Sequence, residues 1–465
     1  MQADLEALRA RWGARYSIYL MTVLMTASMA MIVASTSINV AIPAIMADFS
    51  IGKTVAQWLS TGFLASMTAG LLLAAWSQAR LGARATLQIS LMVFIATSIA
   101  ALVAQSAWQL IGLRIIQGFC AGLIQPLSMV LIFQVFQGPE RGRALGLYGL
   151  CVMIAPTLGP SVSGYLIDHF DWHAVFWMPL PLCVMSVLGA IWLLPSVRER
   201  QTPIVDVLAF VYLCTAIFAG LAALAHIQLM GWQDSLSIGL IALTVIGAFA
   251  FWWRSKKSAA PLVPLSLWRN KAFRSASWVA LALGMGLYGS TFLLPLYLQS
   301  VEGYSAGEAG MLLLPTGVVL AFASYYGGRL TDRLTSATLL GAGLVIMALS
   351  MLGLALSPLA SSFAQLCFWA CISRIGLGLL LPALTTGAVD ALTEKELAHG
   401  AGAISFVRQL GGAFGINALV FFLEARHSAT HSELNAFNET FYLMAGLFLI
   451  AVLAAMNVKK GVGRE

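Results

Sequence analysis

The sequence predicts an all-α polytopic membrane protein with fourteen spanning helices, and three observations predict it. Hydrophobic residues make up 60% of the 465-residue chain and charged residues only 10%. Mean hydropathy is +0.86, more than a water-soluble domain of this size carries. The apolar residues also fall in long continuous runs, and crossing a bilayer core of about 30 Å takes roughly 20 of them per helix. In lipid only helices and closed barrels satisfy every backbone group, and runs of this length exclude the barrel.

Bounding each run by charge, Gly/Pro or an amphipathic turn places six helices near 18–43, 55–76, 85–104, 109–133, 144–167 and 174–194. A basic stretch from Pro195 to Asp206 leads to two more, near 207–228 and 235–253. A second basic stretch, Arg254 to Arg274, leads to six near 276–299, 309–328, 337–356, 363–389, 401–423 and 440–458. The domain plan is therefore an N-terminal six-helix bundle over 1–197, a linker with inserted helices seven and eight over 198–274, and a C-terminal six-helix bundle over 275–465.

Charge gives the orientation. The segments on the N-terminal side hold 21 Lys and Arg, the opposite side holds two (Lys53, Arg426), and three (Arg114, Arg374, Arg408) lie inside helices, together the 26 present. By the positive-inside rule both termini are expected in the cytoplasm, in a bacterial inner membrane. Arg9, Arg11 and Arg15 precede a run that looks too long for a signal-peptide core, so Met1 to Ser17 is read as a retained cytoplasmic tail. The net charge of +7 is a topology signal with attraction to anionic membrane lipid, and calls for no nucleic acid. All six cysteines lie in apolar runs, which points to packing and not to a disulfide framework.

The two groups of six are related. Pro43 recurs as Pro295 and Gly159 as Gly411, each 252 residues on; Arg114-Ile115 with Gly118 recurs as Arg374-Ile375 with Gly378, 260 residues on. Repeated halves are what a pseudo-symmetric carrier requires.

Several motifs then resemble, in order and over nearly the whole chain, the fourteen-span drug/proton antiporter branch of the major facilitator superfamily, the multidrug efflux carriers. The first helix ends in Asn39-Val40-Ala41-Ile42-Pro43, and the fourth holds Arg114-Ile-Ile-Gln117-Gly118, similar to the family's Arg-x-x-Gln-Gly run. Ala155-Pro156-Thr157-Leu-Gly159-Pro160-Ser-Val-Ser163-Gly164 resembles the antiporter motif Gly-x-x-x-Gly-Pro-x-x-Gly-Gly, with Ala155 and Ser163 in place of two glycines. Pro295-Leu-Tyr297-Leu-Gln299 and Arg408-Gln409-Leu-Gly411-Gly412 resemble the ninth and thirteenth helices of these exporters. Gly328-Arg-Leu-Thr-Asp332-Arg333 is similar to the gate motif Gly-x-Leu-x-Asp-Arg.

The resemblance implies two bundles rocking around a central cavity, proton influx driving export, and, in some relatives, a periplasmic adaptor protein with an outer-membrane channel. It also has two departures. Ala34 stands where many members carry an Asp in the first helix, and Ala79 where the first gate motif has its Asp, aligned on Gly82. No cofactor or metal is expected, since neither a phosphate loop nor a His-Glu-x-x-His pattern occurs.

An Arg at a helix centre costs about 2.5–3.5 kcal/mol by insertion scales, so Arg114, Arg374 and Arg408 need partners or water. Arg114 is the leading candidate for coupling or substrate binding; the plainer alternative for each arginine is a tie between helices. Thr36, Asn39, Gln117, Gln125, Thr157, Gln299 and Asn417 are the polar candidates for a cavity wall. Pro156, Gly159, Pro160 and Gly164 read as a kinked, close-packed seal, and Gly328, Asp332 and Arg333 as a cytoplasmic latch.

All 19 carboxylates fall in loops or near helix ends. Proton coupling normally uses a titratable group at the cavity, and here only Asp168, Asp206, Asp390 and His226 are candidates. The same absence predicts that neutral, zwitterionic or anionic amphiphiles are handled better than quaternary ammonium dyes. The alternatives are a dedicated metabolite or anion carrier without proton coupling and, from another class, a membrane enzyme or lipid-handling protein. That last reading needs a cluster of catalytic His or carboxylates at one membrane face, which the sequence does not display.

Overall fold

The computed structural model describes residues 8, 10–136, 138–194, 205–258, 261–359, 361–389, 392 and 396–458. Residues 1–7 and 9 of the expected N-terminal tail, most of the first basic stretch and Asp390 lie outside the described residues. Among the described residues, fourteen helices are long and apolar enough to span a membrane, and there is no strand.

The first six are α1 (Tyr16–Asp48), α2 (Lys53–Leu81), α3 (Ala83–Ala101), α4 (Ala107–Val135), α5 (Gly138–His169) and α6 (Ala174–Leu193). Then come α7 (Val207–Met230) and α8 (Ser235–Lys257). The last six are α9 (Lys271–Ser300), α10 (Ala306–Leu330), α11 (Ser336–Ala355), α12 (Phe363–Val389), α13 (Leu397–Thr430) and α14 (Glu433–Ala455).

Most helices run past their hydropathy limits because their ends are set by caps, which hydropathy does not register. Ser106, Asp206, Asp234, Asn270, Ser305, Thr335 and Ser432 each accept a backbone N–H of the turn they open. Such a cap is worth about 1 kcal/mol. Ser305 forms a full capping box with Glu308. Gly82, at φ 86°, makes the abrupt turn from α2 to α3. The stretch from Glu424 to Glu439, expected as the longest outer loop, is instead helical apart from His431 and Ser432. Thr430 and Ser432 lack apolar character but extend and cap the two helices they separate.

The packing repeats with a shift of eight helices. α1 packs on α5 and α6, as α9 packs on α13 and α14; α2 packs on α4, as α10 on α12; α3 packs on α4 and α6, as α11 on α12 and α14. The sequence repeats explain the tight crossings. Gly118 of α4 lies against the Phe63 carbonyl of α2, and Gly378 of α12 lies 2.7 Å, at an added Cβ, from the Ser324 amide of α10. Either substitution would force the pair apart.

The inserted pair stands outside this symmetry. α7 and α8 pack on each other and α7 leans on α13, tied by Asn417 Nδ2 to the Leu221 carbonyl at 3.2 Å and Gln228 Nε2 to the Val420 carbonyl at 3.2 Å. Only 11% of the most apolar stretch of α8 is buried, so its Leu, Ile and Phe side chains face the hydrocarbon.

Candidate functional site

The helix ends divide the molecule into a terminal face, where α1 begins and α14 ends, and a distal face, where α1 meets α2 and α5 meets α6. Between the two bundles lies a cavity of about 380 Å³. It runs from mid-membrane at Met67 and Thr291 toward the terminal face at Gly149 and Thr385. One wall is a stripe of α1, Ser28, Met31, Ile32, Ser35 and Thr36, whose three- and four-residue spacing puts them on one helix face. Gln125 of α4 and Pro156 of α5 complete that side; Tyr288 of α9, Ser324 of α10 and Arg408 of α13 stand opposite.

The distal half is closed by contacts between bundles. Asp168, at the end of α5, accepts from Ser305 Oγ at 2.7 Å and from the Gly307 amide at 2.9 Å, at the start of α10 where the helix dipole favours a carboxylate. Lys53 pairs with Glu433 at 2.6 Å and lies 3.6 Å from Glu424. Gln299 Nε2 donates to the Val40 carbonyl at 3.1 Å, Gln57 Nε2 reaches Asn417 Oδ1 at 3.5 Å, and Thr68 donates to Gln409 Oε1 at 3.2 Å. Among the described residues, no side-chain bond between bundles lies on the terminal side of the Thr68–Gln409 pair.

The antiporter-motif residues form the tightest part of this closure. Gly159 faces α1, where an added Cβ would lie 2.5 Å from Thr36 Oγ1, while Gly164 faces the Ala306 carbonyl of α10. Gly310 returns the contact against Pro160, Gly317 receives the Thr157 side chain, and Ser161 donates to the Gly310 carbonyl at 2.8 Å. α5 thus packs one small-residue face on its own bundle and another on the opposite bundle. Gly411, Gly412 and Gly415 of α13 pack the same way on α9, and α13 meets α2 across the interface.

Of the sequence candidates, the cavity brings together Thr36, Gln125, Pro156 and Arg408. The others are placed elsewhere. Arg114, 1% exposed, donates to the Leu59 carbonyl at 3.1 Å and to Gln117 Oε1 at 3.0 Å, with its guanidinium 4.2 Å from the Phe63 ring centroid. Gln117 in turn donates to Ser98 at 3.0 Å. The chain Ser98–Gln117–Arg114 ties α2, α3 and α4 inside one bundle. Arg374 is buried in α12, and Asn39 accepts from Ser60 at 2.6 Å. Asp332 and Arg333 are exposed on the α10–α11 turn, with no salt bridge to a described residue, and Gly328 has open space around it.

Arg114→Ala is expected to lower the melting temperature of the purified protein sharply, by about 2–5 kcal/mol of stability. It leaves a void beside Phe63 and takes the Arg114 donor from Gln117 Oε1. An unchanged melting temperature together with an altered substrate profile would instead put Arg114 in the transport path.

The two described coupling candidates away from the interface have local partners. His226 Nδ1 lies 3.0 Å from Ser237 Oγ at the α7–α8 turn. Asp206 caps α7 and pairs with Arg254 at 2.6 Å. Desolvation works to raise its pKa, but the Arg254 bond and the Ala209 amide outweigh it and hold the carboxyl below its ordinary value. Sequence reasoning did not single out Tyr288, Ser324 or Thr291. Each is an ordinary residue in an apolar helix, and only the opposing bundle makes it a wall.

Residues 18–416 match the Major Facilitator Superfamily. The chain is 27% identical to the multidrug transporter protein MdtP of Bacillus subtilis, over 84% of this chain and 72% of that one. It is 27% identical to the methylenomycin A resistance protein of Streptomyces coelicolor, over 92% of this chain and 90% of that one. Among solved structures it resembles a POT family transporter in complex with a thioalcohol-conjugated peptide. The TM-score is 0.69 over 93% of this chain and 94% of that one, and the 14% identity makes this a likeness of fold alone.

Proposed function

Because the chain belongs to the major facilitator superfamily, whose members are multi-pass membrane transporters, we propose that it exports small amphiphilic compounds, drugs or toxic metabolites, by alternating access. The observation that carries this reading is the central cavity, whose described lining extends toward the terminal face and which the α5–α10 and α2–α13 contacts close distally. With the basic terminal face in the cytoplasm of a bacterial inner membrane, this is the state that loads cargo from inside. The multidrug transporter protein and the methylenomycin A resistance protein to which the chain is similar support the cargo class. Hand-over to a periplasmic adaptor and outer-membrane channel, expected from the resemblance, would have to occur on short distal turns, such as that over 356–362.

Two driving forces are proposed. Proton influx is what the resemblance to drug/proton antiporters implies, with Asp168 as the carboxylate nearest the moving α5–α10 contact. Export on the membrane potential, without proton coupling, is favoured by the cavity itself, because no Asp, Glu or His occurs among its described lining residues.

Uptake of cationic, neutral and anionic amphiphiles into proteoliposomes with the terminal face outward tests the export reading. Saturable uptake of neutral and anionic compounds is expected. Strong ethidium uptake with the anions ignored would reverse the expected charge preference. Chemical conversion of a compound by the purified protein would restore the membrane-enzyme alternative.

A further inference from the structure

We propose that Arg408 anchors an anion subsite in the central cavity, so that the preferred cargo is a monoanionic amphiphile with one carboxylate- or sulfonate-like group on an apolar body. The proposal rests on the export reading for its consequence but not for the site, which is a matter of binding.

Three observations carry it. Of Arg114, Arg374 and Arg408, the three arginines inside the apolar spans of the sequence, Arg408 alone is among the described lining residues of the cavity; Arg114 is enclosed within its own bundle. Arg408 is partly exposed, its Nε is enclosed without a bond to a described residue, and no carboxylate is among the described lining residues of the cavity. A fixed cation at this depth is costly without a counter-charge, and a planar guanidinium matches a carboxylate or sulfonate with two parallel N–H donors. The third observation is a second donor: Ser324 Oγ, on the neighbouring wall from α10, is likewise buried without a described partner.

The remainder of the site fits the body of such a molecule. Met31, Ile32, Met67, Leu287 and Leu320 supply apolar wall, and Gln125 and Thr36 offer polar contacts from the opposite bundle. Gly412 leaves room for the Tyr288 ring against α13, and Tyr288 and Arg408 line the same cavity. That ring is a poor cation cage, because an organic cation stacked on it would face the guanidinium charge.

The test uses three compounds on one aromatic body: naphthalene-2-sulfonate, naphthalene-2-sulfonamide and 2-naphthyltrimethylammonium. Binding to the purified full chain is read by calorimetry and uptake by proteoliposomes. The native chain is expected to bind the sulfonate at least about tenfold more tightly than the sulfonamide, the scale of a charge-assisted hydrogen bond. It should bind the ammonium compound least. Arg408→Gln is expected to bring the sulfonate-to-sulfonamide ratio to about one, and Arg408→Lys to keep part of the preference, which a general folding defect would not do. Sulfonate binding without uptake would uphold the subsite and sink the export reading. Uptake of the other two compounds without sulfonate preference, no sulfonate binding at all, or a preference that survives Arg408→Gln would each overturn the subsite.

Discussion

Gly164→Leu is expected to cut transport at least tenfold while leaving the protein folded and monodisperse. Gly164 meets the Ala306 carbonyl, and an added Cβ would lie 3.1 Å from the Gly307 Cα. The obstacle is backbone, so no side chain can swing aside. The same seam continues through Gly310 on Pro160 and Gly317 on Thr157, so a wedge at Gly164 acts on the whole α5–α10 contact. Overpacking of this kind costs about 1–3 kcal/mol, which shifts an equilibrium between two conformations about 5- to 150-fold away from the distally closed one. The carrier then spends too little time in the state that loads from the terminal side.

Two companions sharpen the result. Gly146→Leu, on the same helix with nothing within 4 Å of an added Cβ, is the control that should transport normally. Asp168→Ala removes two hydrogen bonds without adding volume, so it should weaken distal closure less than the wedge does. The checks are initial uptake rates and a spin-label distance between the distal ends of α5 and α10, which should lengthen in Gly164→Leu. Native rates in that variant would mean that the α5–α10 seam is not the distal seal.

What could be read from the sequence follows from what each residue needs. Gly159 and Gly164 were legible because a crossing of two backbones tolerates no side chain, and small residues beside helix-kinking prolines have few other uses at that spacing. The repeat of Gly159 in Gly411 was legible for the same reason, and it correctly marks two equivalent crossings, α5 on α1 and α13 on α9. The helix number followed from hydropathy alone, but the helix ends did not. Ser106, Asn270 and Ser432 are polar residues that hydropathy assigns to loops, yet each opens a helical turn.

The cavity was harder to read because polarity does not reveal direction. Arg114, Asn39 and Asn417 all interrupt apolar helices, as Arg408 and Gln125 do. The first three turn toward neighbours that bond them, Leu59 and Gln117, Ser60, and Leu221, although Arg114 Nη2 is left buried without a described partner. Arg408 and Gln125 face the space between bundles. A single helix does not tell these outcomes apart, because the opposing wall comes from residues more than a hundred positions away. The α1 stripe Ser28, Ser35 and Thr36 did carry a periodic signal, but small hydroxyl residues occupy helix contacts as readily as cavity walls.

The driving force can be decided by the accumulation ratio at a fixed membrane potential. Moving one elementary charge through 100 mV is worth about 2.3 kcal/mol, or about 50-fold in concentration at equilibrium. A monoanion carried alone moves one charge. A monoanion exchanged for an incoming proton moves two in the same direction, and the limit rises to the order of 10³-fold even without a pH gradient. With no Asp, Glu or His among the described lining residues, the expected limit for naphthalene-2-sulfonate at 100 mV is about 50-fold. A pH gradient imposed at zero potential should then move nothing. A ratio far above this, with substrate-dependent proton flux, would establish antiport and direct attention to Asp168. Ala34→Asp completes the comparison: position 34 is buried in the core of the first bundle and not on the cavity stripe. A carboxylate there would be held protonated by burial until the bundle opens to water. If that variant gains proton flux where the native chain has none, the missing first-helix carboxylate is the reason the native carrier runs on potential alone.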